Sequence, residues 1–210
     1  MQGLAAMMRI ARQSIPDILL LTGDRFQDAR GWFRETYSGR TFAEAGIDVS
    51  FVQDNESCSA RAGTVRGLHY QVSPFAQAKL LRVLKGAIFD VAVDLRVGSQ
   101  TFGQHVAMRL DASRDEALFI AAGFAHGFCT LVDDTIVSYK VSALYAPKCE
   151  HGIRWNDPAL GIPWPVAAER AVVSPRDAAL PLLASVSRAD LFIRPSAIGF
   201  ARDLSGLVAS

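Results

Sequence analysis

The sequence predicts an all-β fold, a sandwich or barrel of short strands with a few short helices. Three observations carry that expectation: apolar segments alternate with a period of two, the segments are short, and Gly or Asp turns divide them. At 210 residues, with 50% hydrophobic and 20% charged, the chain can build one full core but not two comfortable ones. A single domain over residues 1–210 is expected.

Taken in order, the apolar patch 18–21 reads as the first strand. It is short and sits behind Arg9, Arg12, Pro16 and Asp17, so it has neither the length of a membrane span nor the flanks of a signal peptide. Residues 41–45 read as a short helix with Gly46 behind it as a cap. Residues 80–85 form an apolar strand, Lys85-Gly86 can turn, and 87–97 continue as a second strand. There Phe89, Val91, Val93 and Leu95 alternate with Ile88, Asp90, Ala92 and Asp94. Val106, Met108 and Leu110 repeat the pattern before a polar turn at 111–115. Leu118 with Ile120, then 128–132, then 136–142 supply further strands, the last two separated by Asp133-Asp134. Ser174-Pro175-Arg176-Asp177 has the Ser, early Pro and early Asp of a helix start, and Pro181 keeps any helix there short. Residues 185–210 show no clean period, and no element is assigned there.

Charge and cysteine usage exclude several functions. The 22 basic and 21 acidic residues give a net charge of +1, so there is no basic surplus for a nucleic-acid backbone. A small phosphorylated ligand needs only a local cluster of Arg and Lys, and stays open. Cys58, Cys129 and Cys149 form no CxxC and no disulfide framework, which points to a reducing cytoplasm.

Histidine titrates near neutrality, so His69, His105, His126 and His151 are the candidate acids, bases or ligands. His105, at the start of an alternating strand, and His151, in a polar loop after Glu150, read as structural or solvated. His69 and His126 differ: each lies beside glycine and an aromatic, in Gly67-Leu68-His69-Tyr70 and Gly123-Phe124-Ala125-His126-Gly127-Phe128. Glycine lets a backbone approach a ligand closely. Arg66 and Lys79 lie on segments expected to face the same cavity. For each of these residues a structural role stays open on this reading. There is no His-x-His pair, no His-x-Asp, no GxGxxG and no P-loop, so neither a metal nor a bound nucleotide cofactor is expected.

Taken together these segments resemble the dTDP-4-dehydrorhamnose 3,5-epimerase family. The resemblance is carried by Asp28-Ala29-Arg30-Gly31-Trp32-Phe33, Gln53-Asp54-Asn55, Arg66-Gly67-Leu68-His69-Tyr70-Gln71 and Phe89-Asp90-Val91-Ala92-Val93-Asp94. Gly123-Phe124-Ala125-His126-Gly127-Phe128 and Gly152-Ile153-Arg154-Trp155-Asn156-Asp157-Pro158 complete it. It runs from about Pro16 to about Leu183, leaving residues from about 185 to 210 as an extension of unassigned role.

The resemblance implies a cupin-type jelly roll, a homodimer, no cofactor, and a dTDP-4-keto-6-deoxy sugar as substrate. A ketone at C4 acidifies the hydrogens on C3 and C5. Epimerisation then needs a base on one face of the ring, an acid on the other, and a cation for the enolate oxygen. By resemblance His69 is the base, Asp177 its paired carboxylate, Tyr139 the proton donor and Lys79 the cation. Arg30, Glu35, Gln53, Asn55, Arg66, His126, Glu150 and Arg176 match positions that bind substrate. Trp32, Phe33 and Tyr145 are offered as flat surfaces for the thymine or sugar.

The chain departs from the family pattern at Ala121, where proline is usual, and at Arg176, where lysine often stands. Three rivals to double epimerisation are kept: a 3- or 5-mono-epimerase of a related sugar, a metal-dependent cupin oxygenase, and a binder that does not turn the sugar over.

Overall fold

A computed structural model of the chain describes residues 8–193. Its elements in order are β1 (Arg9–Arg12), β2 (Ile18–Thr22), β3 (Phe26–Asp28), β4 (Gly31–Phe33), α1 (Gly39–Glu44) and β5 (Gln53–Ser59). Next come β6 (Thr64–Gln71), β7 (Lys79–Lys85), β8 (Ala87–Asp94), β9 (Arg96–Val97), β10 (His105–Asp111) and β11 (Glu116–Ile120). The chain continues through β12 (Phe124–Thr130), β13 (Thr135–Val141), β14 (Glu150–Gly152), β15 (Val172–Val173), α2 (Pro175–Ala178) and β16 (Phe192–Ile193).

Two antiparallel sheets form a cupin-type jelly roll. The first has strand order β1-β2-β11-β7-β13-β5; the second runs β10-β8-β12-β6-β14, with β15 added parallel to β6. Between them lies one core, to which Ile18, Leu81, Leu118 and Val137 come from the first sheet and Ile88 and Phe128 from the second. Each sheet is also covered on its outer face. Phe42 of α1 and Ile47 pack on Leu19, Leu21, Leu80 and Phe119 of the first sheet. Ile153, Leu160 and Leu191 pack on Leu68, Val91 and Val93 of the second.

This double covering explains the sequence pattern. A sheet with one solvated face reads apolar–polar, whereas one buried on both faces reads as a nearly continuous apolar run. In β8 both alternating sets are buried, and only Asp90 and Asp94 interrupt them.

Several boundaries move from their sequence expectation. The first strand is β1, an edge strand carrying Arg9 and Arg12, as suits an unpaired edge. The strand expected over 87–97 breaks at Leu95, because Asp94 accepts hydrogen bonds from the Arg96 backbone N–H and side chain and turns the chain into β9. The strand expected from 128 begins four residues earlier, at Phe124. The α1 helix starts before Thr41 because Ser38 Oγ caps it. His151 lies in strand β14, not in a loop, stacked on the ring of Tyr70. At Ala121 the N–H donates to the Asp17 carbonyl at 3.3 Å, a bond that a proline could not make.

The expected extension is described as far as Ile193. Val186, Leu191 and Phe192 pack on the outer face of the second sheet, and β16 pairs in parallel with β9. Residues 194–210 lie outside the described residues.

Candidate active site

The site is set by one close approach between strands. In β6 and β12, Gly67 and Gly127 face each other so tightly that a Cβ on Gly127 would stand 2.6 Å from the Arg66 carbonyl oxygen. Gly67 has φ +118°, which disfavours any side chain there. The register shifts at this point, between His126 and Phe128, and His126 becomes the strand partner of His69. The two histidines that the sequence singles out by their glycine and aromatic neighbours are thus strand partners.

Each histidine is held by its own carboxylate. His69 Nε2 lies 2.8 Å from Asp177 Oδ1, and His126 Nε2 lies 2.8 Å from Asp90 Oδ2. Asp177 is buried, and its Oδ2 accepts the Gly67 N–H at 3.1 Å. Burial raises the Asp177 carboxyl, but the His69 contact and the Gly67 N–H outweigh it and hold the group below the usual carboxylate range. An ionised carboxylate only accepts, so His69 Nε2 must carry the proton. That leaves the Nδ1 lone pair free to take another.

Asp177 arrives through α2, a single turn whose Ser174 Oγ accepts the Asp177 N–H at 3.0 Å. The sequence signal of Ser, Pro and Asp was therefore a real helix start, though only four residues long.

A cavity of 520 Å³ lies between the two sheets, lined by His69, His126, Lys79, Tyr139, Arg66 and Asp177. A second lobe of 320 Å³ shares His69, Lys79 and Tyr139 and adds Gln53, Asn55 and Glu150. The second sheet supplies His69 and His126, while Lys79 on β7 and Tyr139 on β13 come from the first. The two sheets therefore present different chemistry across one gap.

Burial pushes the Lys79 ammonium down to about 8, against the pull of Asp90 and Glu150. Burial likewise raises the Tyr139 phenol; Glu150 adds to this and Arg66 opposes it. A raised phenol keeps its proton at neutral pH and has one to give.

The remaining polar groups are pre-arranged. Arg66 donates from Nε to Ser59 Oγ at 3.1 Å and from a terminal nitrogen to the Cys58 carbonyl at 3.0 Å. Gln53 donates to Asn55 Oδ1 at 2.7 Å. Glu150 Oε2 accepts the Tyr145 hydroxyl at 2.6 Å and meets Arg176 at 2.5 Å. Burial raises the Glu150 carboxyl, yet Tyr145 and Arg176 together bring it below its ordinary value. Of the flat surfaces expected from the sequence, Tyr145 lines the second lobe.

Two expected binding residues are not brought here by their own chain. Arg30 sits on the exposed β3–β4 hairpin, paired with Asp28. Glu35 lies just beyond that hairpin, beside Arg34 and Arg82. Trp32 and Phe33, 56% and 70% exposed, share the hairpin and also stand away from the cavity.

Sequence reasoning missed Asp90 as a functional partner. Its signal was there: a carboxylate inside an apolar strand is costly unless paired. The Gly67 N–H was missed as well, because a backbone donor leaves no mark in sequence. Among the described residues no cluster of three His, Cys, Asp or Glu stands where a metal ion could be held.

Comparison with known proteins places the chain in a family. Residues 12–185 match the family described as dTDP-4-dehydrorhamnose 3,5-epimerase. The dTDP-4-dehydrorhamnose 3,5-epimerase of Pseudomonas aeruginosa is 52% identical over 160 residues, 76% of this chain and 87% of its own. The dTDP-4-dehydrorhamnose 3-epimerase of Streptomyces niveus is 40% identical over 185 residues, 88% of either chain. A solved structure of the Legionella pneumophila dTDP-6-deoxy-D-glucose-3,5-epimerase, in complex with dTDP-4-keto-L-rhamnose, superimposes with a TM-score of 0.86. Its identity is 40%, over 90% of this chain and 100% of that one. On the match over residues 12–185 and the 52% identity to the Pseudomonas aeruginosa enzyme, the chain belongs to the dTDP-4-dehydrorhamnose 3,5-epimerase family.

Proposed function

We propose that the chain converts dTDP-4-dehydro-6-deoxy-D-glucose to dTDP-4-dehydro-L-rhamnose by inverting C3 and C5 next to the C4 ketone. One observation carries the mechanism: His69 and Tyr139 come from opposing sheets and line the same cavity. A sugar ring between them has a base on one face and an acid on the other.

His69 Nδ1 takes the proton from C3 or C5, and the resulting imidazolium is stabilised by Asp177 through Nε2. The electron pair moves to the C4 oxygen, where the Lys79 ammonium meets it. Tyr139 returns a proton from the other face. Only protons move, so the reaction calls for no redox cofactor. Arg66 and Arg176 offer forked donors to the diphosphate, and Gln53 with Asn55 offers amides to the polar edges of the ligand.

The partner expected for such a chain is a second copy of itself. The β3–β4 hairpin is anchored at its base, where Arg25 and Arg34 both pair with Asp115 and Arg25 lies 4.2 Å over the Trp32 ring. Its tip carries Arg30 away from the cavity of its own chain. A homodimer in which this hairpin reaches the other copy's cavity would bring Arg30 and Glu35 to substrate and cover Trp32 and Phe33. The three free thiols support a reducing cytoplasm as its setting.

A mono-epimerase is the reading to separate, since the Streptomyces niveus relative carries that name. The purified chain is given the 4-keto sugar nucleotide in deuterated water, and the sugar is followed by NMR. Deuterium at both C3 and C5 is expected. Deuterium at one carbon alone would make it a mono-epimerase, and none at either would remove the epimerase reading altogether.

A further inference from the structure

The run Gly152-Ile153-Arg154-Trp155-Asn156-Asp157-Pro158 does not line the cavity, but its contacts tie it to the residues that do. Ile153 exchanges both backbone hydrogen bonds with Leu68, the neighbour of His69, at 3.1 and 3.0 Å. Gly152 stands opposite His69 in the β14–β6 register. The same few residues also grip the chain just beyond Asp177. The Arg154 N–H donates to the Pro181 carbonyl at 2.8 Å, and Arg154 Nε donates to the Leu180 carbonyl at 3.1 Å. The Leu180 side chain fills the space at Gly152, where a Cβ would lie 2.6 Å from it. Asp157, 3% exposed, accepts the Leu183 N–H through Oδ2 at 2.7 Å.

A one-turn helix cannot hold its own place, because nucleation leaves it unstable without outside contacts. Upstream, α2 is fixed by the Ser174 cap and by β15 against β6. Downstream, it is fixed by these contacts. The motif thus holds the strand of His69 with one residue and the segment of Asp177 with the next. We infer that Arg154 is a positioning residue for the His69–Asp177 pair, clamping the Leu180–Pro181 backbone so that the carboxylate keeps its 2.8 Å contact with the ring. The inference rests on the acid–base reading of that pair.

The test is a double-mutant cycle with a spectroscopic readout. Arg154→Met keeps most of the apolar stem and the N–H bond to Pro181, and removes the side-chain donor to Leu180. Misplacing a catalytic group by about an ångström can cost as much as ~10²-fold, so kcat should fall by roughly 10- to 100-fold with a much smaller change in KM. In an Asp177→Asn background the same substitution should cost nothing further, since it acts through Asp177. The 15N resonances of the His69 imidazole should move from a single Nε2–H tautomer toward a mixture, and Arg154→Lys should restore part of both effects. The exposed Asn156→Ala, in the same motif, is the control and should leave both readouts unchanged.

Full activity in Arg154→Met, or losses that add in the double variant, would overturn the inference. If Asp177→Asn were fully active, the acid–base reading would fail first. The His69 resonances would then decide alone, an unchanged tautomer in Arg154→Met counting against Arg154 as a positioner. Should Arg154→Met not fold, Arg154→Leu, which likewise lacks a side-chain donor, is read by the same criteria.

Discussion

Which ring nitrogen of His69 carries the proton decides how the residue can work. The ionised Asp177 fixes the proton on Nε2, so the nitrogen open to act as the proposed base is Nδ1, and the ring needs no rearrangement first. Lys79 makes a different contribution. Its ammonium is useful only while charged, and burial has brought its titration down to about 8. As pH rises through that value the cation loses its proton, so kcat/KM should decline on the alkaline side with a midpoint near 8. Tyr139, whose phenol is raised above its usual range, should not contribute to that limb. A pH–rate profile checks this, and in Lys79→Met the residual activity should lose the limb. At this scale much was legible in sequence. His69, Lys79, Tyr139 and Asp177 all stand out there by their resemblance, and all four line one cavity. Asp90 stands out only as a carboxylate in need of a partner, because nothing in the order of residues says that the partner is a histidine 36 positions later.

At the scale of elements, the site depends on two strands coming closer than side chains allow. Gly127 has no room for a Cβ against the Arg66 carbonyl, and that atom is backbone that cannot step aside. Gly127→Ala should therefore destabilise the fold by about 1–3 kcal/mol, as overpacked interiors do. Chemical denaturation measures this, and the displaced His69–His126 pair should lower activity beyond the loss of folded protein. The same glycines explain why β6 is not legible in the sequence. Glycine weakens a strand pattern, and β6 is buried or cavity-lining along most of its length, so no clean alternation shows. Strands such as β7, β10 and β13 are legible because their apolar residues recur without such a break.

Whole-molecule organisation is the least legible level. Short alternating strands announce a sandwich or barrel, but strand order and the covering of both outer faces come from contacts distant in sequence. The placing of Arg30 and Glu35 belongs here too, since one chain leaves them outside its own cavity. If the hairpin serves the other copy of a homodimer, Arg30→Ala and His69→Ala chains should complement each other. A mixed dimer contains one site with both an intact hairpin and an intact base, so refolding the two variants together should give more activity than either alone. Activity no higher than the sum of the separate variants would return the hairpin to its own chain.

Proton removal by His69 is tested most directly by the rate at which solvent deuterium enters C3 and C5, in the unaltered chain and in His69→Ala. General base catalysis is typically worth ~10²–10⁴-fold, so exchange at both carbons should slow by that order while the nucleotide sugar still binds. Exchange in His69→Ala as fast as in the unaltered chain would show that another group takes the proton.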